Sequence, residues 1–208
     1  MRCKTLYRWA AVMLAVSSLS LAAGMILHPV ALHSESVATF QWAASHFLWW
    51  LGALTGSVGI AGLYLRQRER VGVLGFAGGG LSVIGSTLIA SAMYFEAFIA
   101  PSLAAQTPGL FEAYPTGGGW EGFAIAFAAS GALFGVGFLL LGIAMIRAGT
   151  MADWAILLAM VGGIPFAMNF LLPRPVAIVA VVIFAVGLLR LGYGLWKSLE
   201  VDESTVRK

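Results

Sequence analysis

Six polar or ionisable side chains stand at or near the ends of long apolar segments, where they could meet at one depth. His28 ends the first segment, His46 opens the second and Glu96 follows the third. Glu121 opens the fourth segment, and Asn169 lies in the last turn of the fifth. Imidazole exchanges protons near neutral pH, and imidazole and carboxylate groups both bind metals. The candidate site residues are therefore His28, His46, Tyr94, Glu96, Glu121 and Asn169.

A metal site is one chemistry that these residues favour. His28, His46 and Glu96 are the candidate ligands, because imidazole and carboxylate groups suit Zn(II) or Fe(II). Met25 with His28, and Met93 with Glu96, are three positions apart and share a helix face, and a thioether beside an imidazole suits Cu(I). The chain contains neither an HxxxH nor an HExxH motif, so the pattern alone does not separate a metal site from other uses.

The same side chains suit several other uses. His28 and His46 could be the axial ligands of a haem, and His46 with Glu96 could exchange protons with a quinone. His46, Glu96 and Glu121 could instead relay protons in a small-solute transporter. Transporters usually bind their coupling ions near the bilayer midplane, whereas the middle of these segments is mostly Gly, Ala, Leu, Ser and Thr. Interfacial hydrogen bonding, with no ligand, is the structural alternative.

Enzyme signatures are missing from the sequence. It has no Walker A lysine motif, no GxSxG elbow and no aspartate-rich prenyl-diphosphate motif. Cys3 is the single cysteine, which excludes an internal disulfide and a CxxC motif. The basic residues are scattered at segment ends, which argues against a nucleic-acid partner. The sequence leans towards a non-enzymatic protein without excluding dispersed catalytic residues.

The segments that carry these residues are too apolar for a soluble domain. Of 208 residues, 60% are apolar and 10% are charged, against about 25% charged residues in a typical soluble domain. A run of about 18 apolar residues can cross a hydrocarbon core of roughly 30 Å. We therefore expect one all-α integral membrane domain over residues 1–208, a bundle of six transmembrane helices. The predicted segments are 9–27, 45–65, 71–95, 120–146, 154–172 and 176–196.

Positive charge predicts the orientation of this bundle. Arginine and lysine residues gather before the first segment, between the second and third, after the fourth and after the sixth. By the positive-inside rule these parts face the cytoplasm, as do both termini and the polar tail at 197–208. The histidine-bearing ends then face the outside of a bacterial inner membrane. We expect tight inner turns at 66–70 and 147–153, and an outer connection after the third segment that is a loop.

The first segment also resembles a secretory signal, because basic residues precede an apolar run and Ser20 to Ala22 could pass for a cleavage site. The run continues to Leu27, which favours a helix that is retained.

Small and aromatic residues predict how the bundle is packed. Three glycine pairs have GxxxG spacing, which lets helix backbones approach closely in lipid. The seven tryptophans stand near segment ends, where indole rings usually anchor a helix at the headgroups. The glycine pairs are Gly52 with Gly56, Gly75 with Gly79, and Gly131 with Gly135.

The function expected from these patterns is binding of a small ligand or a protein partner at the outer face. The chain would then be an accessory subunit or homo-oligomer in the lipid bilayer. The first alternative is a redox-active protein that binds haem or a transition metal through His28, His46 and Glu96. The second alternative is a small-solute transporter. A colourless, metal-free protein that tolerates His46→Ala would favour the first expectation.

Overall fold

The computed structural model of the chain describes residues 2–29, 34–112, 114, 119–149 and 151–206, with side chains from residue 4 to residue 200. Every regular element in these ranges is a helix, which confirms the all-α prediction. The third histidine, His33, and the basic residues Arg207 and Lys208 of the predicted polar tail lie outside the described residues. The α-helices are α1 (Arg2–Leu27), α2 (Ser34–Val37), α3 (Phe40–Phe98), α4 (Ala100–Gln106), α5 (Glu121–Ala148), α6 (Asp153–Ala167) and α7 (Arg174–Val206).

Four stretches of helix are long and apolar enough to cross a membrane. They are Lys4–Leu27, Phe40–Gln106, Glu121–Ala148 and Arg174–Glu200. The apolar α6 has 15 residues, fewer than the roughly 18 of a typical crossing, and it ends at Ala167, before the end of the segment predicted at 154–172. Pro165 cannot donate to the helix ladder, and the chain soon passes into a 3₁₀ turn at Asn169–Leu171.

Helix α3 folds back on itself at Gly72. The backbone there has φ 59° and ψ −156°, a conformation that a residue with a side chain adopts only under strain. The first arm, residues 40–71, and the second arm, residues 73–98, then run antiparallel. The Ser86 hydroxyl in the second arm donates to the Ala53 carbonyl in the first, at 2.9 Å.

Two predicted connections differ from the structure. Residues 66–70, expected to be a turn, continue the first arm as helix, because nothing breaks the helix before Gly72. The connection after the second arm, expected to be a loop, contains the short helix α4 and a 3₁₀ turn at Pro108–Phe111. Pro101 lies in the first turn of α4, where its missing N–H costs no helical hydrogen bond.

The long helices form a closed ring in chain order. Helix α1 packs against the first arm and α7, α5 packs against the second arm and α6, and α6 packs against α7. The Arg8 guanidinium lies 5.5 Å from the Trp196 ring, while Arg174 Nη1 donates to the Pro29 carbonyl at 3.3 Å. These contacts at opposite ends make α1 and α7 antiparallel. We call the end with Arg8 and Gly72 the arginine end, and the other end the histidine end.

The second arm of α3 and α5 approach each other closely. A Cβ atom added at Gly85 would lie 2.8 Å from the Phe134 Cα, and one at Gly137 would lie 2.8 Å from the Leu81 Cβ. Any side chain at these positions would push the two backbones apart. Small residues therefore fix the distance between these helices, as in many membrane bundles.

Candidate functional site at the histidine end

The first arm of α3 carries three buried side chains of the site on one face. Thr39 caps the arm, because its hydroxyl accepts the backbone N–H of Trp42 at 3.2 Å, and so fixes where the helix begins. Trp42, His46 and Trp49 follow at spacings of four and three, which places them on one helical face. Their exposed fractions are 2%, 3% and 8%.

His28, which follows α1, completes a cluster of four rings. Its imidazole lies 5.0 Å from the His46 ring and stacks on Trp49, also at 5.0 Å. Trp42 stacks on His46 with 4.4 Å between ring centroids. The Trp49 indole N–H donates to the Leu21 carbonyl at 3.2 Å, which ties the cluster to α1. We call His28, Trp42, His46 and Trp49 the ring cluster.

Both imidazoles are anchored through the same ring nitrogen. His28 Nδ1 lies 2.7 Å from the Pro29 carbonyl, and His46 Nδ1 lies 2.8 Å from the Trp42 carbonyl. A carbonyl oxygen only accepts, so both Nδ1 atoms carry the proton and each neutral ring keeps a lone pair on Nε2. Histidines that bind metals are commonly oriented by this kind of bond.

Glu96 is held by two donors. Trp42 Nε1 donates to Glu96 Oε2 at 3.2 Å, and the Tyr114 hydroxyl donates to Glu96 Oε1. The carboxyl group is buried, since Glu96 has an exposed fraction of 5%. The indole of Trp42 therefore stands between His46 and Glu96 and links the ring cluster to the carboxyl group.

A small apolar layer covers Glu96 at the histidine end. Val37 from α2, Ala100 and Ala104 from α4, Phe111 and Tyr114 pack around the buried Trp42 ring. The Trp120 indole N–H donates to the Leu110 carbonyl at 2.9 Å and closes one side of this layer. We call Val37, Ala100, Ala104, Phe111 and Tyr114 the lip. Glu96 and His46 are both buried at this end, while His28 is only half-buried.

The charge state of His28 follows from its surroundings. Burial is the main cause that lowers the pKa of His28, because it disfavours the imidazolium form. The bond to the Pro29 carbonyl acts in the opposite direction, and the nearby positive charge of Arg174 lowers the pKa further. Arg174 Nη1 and His28 Nδ1 both bond to the Pro29 carbonyl.

The predicted site residues fall into two groups. His28 and His46 are neighbours, and Glu96 joins them through Trp42. Tyr94 is 49% exposed and packs on Trp50 and Phe98, away from Glu96.

Glu121 and Asn169 stand apart from the ring cluster. Glu121 is exposed at the start of α5. The Asn169 amide donates to the Phe166 carbonyl at 2.8 Å, and its side chain lines a cavity described below.

The geometry does not bring the three predicted metal ligands together. No group of three or more His, Cys, Asp or Glu side chains is placed to hold a metal ion in the part of the chain that the structure describes. Trp42 lies between the histidines and Glu96, and both carboxyl oxygens of Glu96 already accept hydrogen bonds. A metal at His28, His46 and Glu96 stays a prediction.

The sequence does not predict Trp42 and Tyr114 as site residues, nor the stacking of Trp49 on His28. Trp42 and Trp49 were expected at the headgroups as anchors, which is wrong, because both are buried in the ring cluster. The spacing of four and three residues from His46 is the sequence signal that places both tryptophans on its helical face. Tyr114 gave none, because it lies in an irregular connection 18 positions after its partner Glu96.

A small central cavity adjoins the ring cluster inside the bundle. Its volume is about 50 Å³, and Trp49 forms part of its wall. Side chains from α1, both arms of α3, α5, α6 and α7 line it, so every long helix of the ring contributes. Most of the lining is apolar; the polar members are Ser17, Ser86 and Asn169 together with the Trp49 indole.

Comparisons with models of protein families, with curated proteins and with solved structures find no match for this chain. Its function is therefore argued from its own residues and geometry.

Proposed function

We propose that the chain is a multi-pass protein of a bacterial inner membrane in which six helical segments cross the bilayer, with both termini in the cytoplasm. The segments are α1, the two arms of α3, α5, α6 and α7. Most of the described arginines lie at the arginine end, with Arg174 as the exception, and this asymmetry supports the orientation. Helix α6, about 22 Å long at 1.5 Å per residue, is the short member, and local thinning of the bilayer accommodates such a segment.

Reporter fusions test this topology. Fusions at Arg68 and Arg147 are expected to report the cytoplasm, and a fusion at Gln106 in α4 is expected to report the outside. A cytoplasmic signal at Gln106 would overturn the orientation and, with it, the outer position of the histidine end.

The function proposed for this bundle is non-catalytic binding of a small ligand at its outer, histidine end. The observation that carries it is the pair of anchored imidazoles. His28 and His46 each keep an Nε2 lone pair, lie 5.0 Å apart and belong to a cluster that also walls the central cavity through Trp49. A ligand that donates a hydrogen bond can be recognised by such nitrogens.

The cavity limits the size and polarity of that ligand. Its volume of about 50 Å³ is far below the roughly 300 Å³ of a pocket for a drug-sized molecule. The Ser17 hydroxyl already donates to the Gly52 carbonyl at 2.8 Å, and Ser86 and Asn169 also donate to backbone carbonyls. The expected ligand is therefore a small, largely apolar molecule of a few heavy atoms with one donor group.

Xenon is a suitable first probe, because dry apolar cavities bind it. Xenon that binds only the folded state raises the thermal midpoint of unfolding. We expect this rise for the wild-type protein in detergent and a smaller rise for Ser86→Val, which fills the cavity. Ser91→Val is the matched control, because Ser91 is exposed on the same helix. Equal shifts in all three proteins would contradict a cavity that takes a ligand.

A metal or haem protein is the second candidate, and the Nδ1 anchoring of both histidines favours it. An absorption spectrum and elemental analysis of the purified protein, run beside His46→Ala and Glu96→Gln, decide between the two. A Soret band or near-stoichiometric metal that is lost in His46→Ala would support the second candidate. A clear spectrum without metal, also after reconstitution, would support small-ligand binding.

A further inference from the structure

A large cavity lies at the arginine end, opposite the ring cluster. Its volume is about 660 Å³. The end of the first arm of α3, the start of α6 and the second half of α7 line it, together with Tyr7 of α1. A volume in the range of about 300–1,000 Å³ is typical of a site for a small molecule or a headgroup.

The charge on this cavity is strongly positive. Four arginines line it, and Glu69 is the single carboxylate among its described lining residues, which leaves an excess of three positive charges. Three of the arginines stand at alternate positions within five residues of the first arm of α3, and Arg190 approaches from α7. The four are Arg66, Arg68, Arg70 and Arg190.

Arg190 is positioned by aromatic rings. Its guanidinium carbon lies 4.8 Å from the Trp154 ring centroid and 5.1 Å from that of Tyr193. No ion pair of Arg190 with Glu69 or Asp153 occurs within the described ranges. A guanidinium that lies over aromatic faces keeps N–H donors at its edge, and those donors match the oxygens of a phosphate group.

We propose that this cavity binds a phosphate-bearing anion, through the chemistry that a phospholipid headgroup and a soluble phosphate ester share. Several guanidinium groups suit a phosphate because each can form two parallel charge-assisted hydrogen bonds with it. Basic pockets between membrane helices on the cytoplasmic side bind anionic headgroups for the same reason. The site lies at the opposite end of the bundle from the ring cluster, so it does not depend on the ligand proposed there, although its cytoplasmic position rests on the topology proposed above.

Two binding measurements on the full-length protein test this proposal and distinguish the two sources. The first is calorimetric titration of the delipidated protein in neutral detergent with pyrophosphate. The second is native mass spectrometry of the protein from nanodiscs of phosphatidylcholine mixed with phosphatidylglycerol, which counts retained anionic lipids. Tight pyrophosphate binding identifies a soluble phosphate ester, and selective retention of phosphatidylglycerol identifies a headgroup.

Arginine variants test whether the binding of pyrophosphate or of phosphatidylglycerol occurs in the cavity. The double variant Arg68→Gln/Arg190→Gln is expected to weaken binding by about tenfold or more, since hydrogen bonds to charged groups are lost. Arg147→Gln is the matched control, because Arg147 ends α5 at the same end of the bundle but does not line the cavity. We expect Arg147→Gln to change the affinity by less than about twofold, as for a screened surface charge.

A variant that binds more tightly distinguishes a change at the site from a folding defect. Glu69→Gln removes the single described lining carboxylate and is expected to tighten binding severalfold, which a misfolded protein cannot do. Binding of neither probe to the wild-type protein would overturn the proposal. An equal loss in Arg147→Gln and in the double variant would also overturn it, because the effect would then come from the general positive surface.

Discussion

Trp42 donates its indole N–H to Glu96 across 3.2 Å, although the two residues are 54 positions apart in the chain. The bond joins the start of the first arm of α3 to the end of the second, so it closes the hairpin at the end opposite Gly72. Trp42 also stacks on His46 at 4.4 Å. We therefore expect a displacement of Glu96 or of the lip to shift Trp42 and, through Trp42, His46.

The hydrogen bond from Tyr114 to Glu96 is expected to stabilise the lip. Tyr114→Phe leaves one buried oxygen of Glu96 without its donor, and such a loss costs about 1–3 kcal/mol of unfolding free energy. Tyr94→Phe is the matched control, because Tyr94 is 49% exposed and should change stability by less than about 0.5 kcal/mol. Unfolding in mixed micelles measures both variants, and equal effects would contradict a bonded Glu96.

The backbone at Gly72 is expected to tolerate no side chain without strain. Nothing lies within 4 Å of a Cβ added there, so Gly72→Ala tests the conformation and not a clash. The substitution should cost about 1–3 kcal/mol of unfolding free energy.

Gly80→Ala is the control for Gly72→Ala. It also meets nothing within 4 Å but lies in regular helix, where alanine should stabilise by about 0.5–1 kcal/mol. A stabilising Gly72→Ala would mean that the hairpin does not turn at this residue.

Stability is expected to fall on acidification because of His28. Its pKa in the folded protein is lowered from 6.5, so below pH 6.5 the unfolded chain takes up the proton first. The stabilisation is thus complete above pH 6.5 and is lost as the pH falls towards the lowered value. The charged or titratable groups that face His28 are Arg174 and His46.

The comparison of the wild-type protein with His28→Gln isolates this effect. Thermal midpoints measured across the acidic range should fall more steeply for the wild-type protein, because other titrating groups are common to both. Parallel curves for the two proteins would show that His28 titrates alike in the folded and unfolded states.

The helical class was predictable from composition, whereas the breaks between helices were only partly so. Apolar runs place α1, α5 and α7 well, but hydropathy does not distinguish helix from turn within residues 66–70. The turn is set by the backbone freedom of one glycine, Gly72, in a chain that has 26 glycines. The early end of α6 at Ala167 is a local feature that an 18-residue hydropathy window averages out.

The candidate site was predictable in its depth but not in its contacts. Segment ends placed His28, His46 and Glu96 at one level, and the structure places the two histidines side by side. The partners that orient them come from tertiary packing, since Tyr114 reaches Glu96 from an irregular connection. The arginine-end cavity was not predicted. The positive-inside rule explains why arginines gather at one end of the bundle, but it does not predict that arginines from α3 and α7 line one cavity.

The most direct test of the proposed outer ligand site is the accessibility of Asn169, which lines the central cavity. In a Cys3→Ser background, which removes the only cysteine, Asn169→Cys is treated in sealed vesicles of known orientation with a membrane-impermeant thiol reagent. Ser198→Cys, in the arginine-end cavity, is the control. We expect Asn169→Cys to react only from the outer side and Ser198→Cys only from the inner side. An Asn169→Cys protein that reacts from the inner side, or from neither side, would contradict a ligand site that opens at the histidine end.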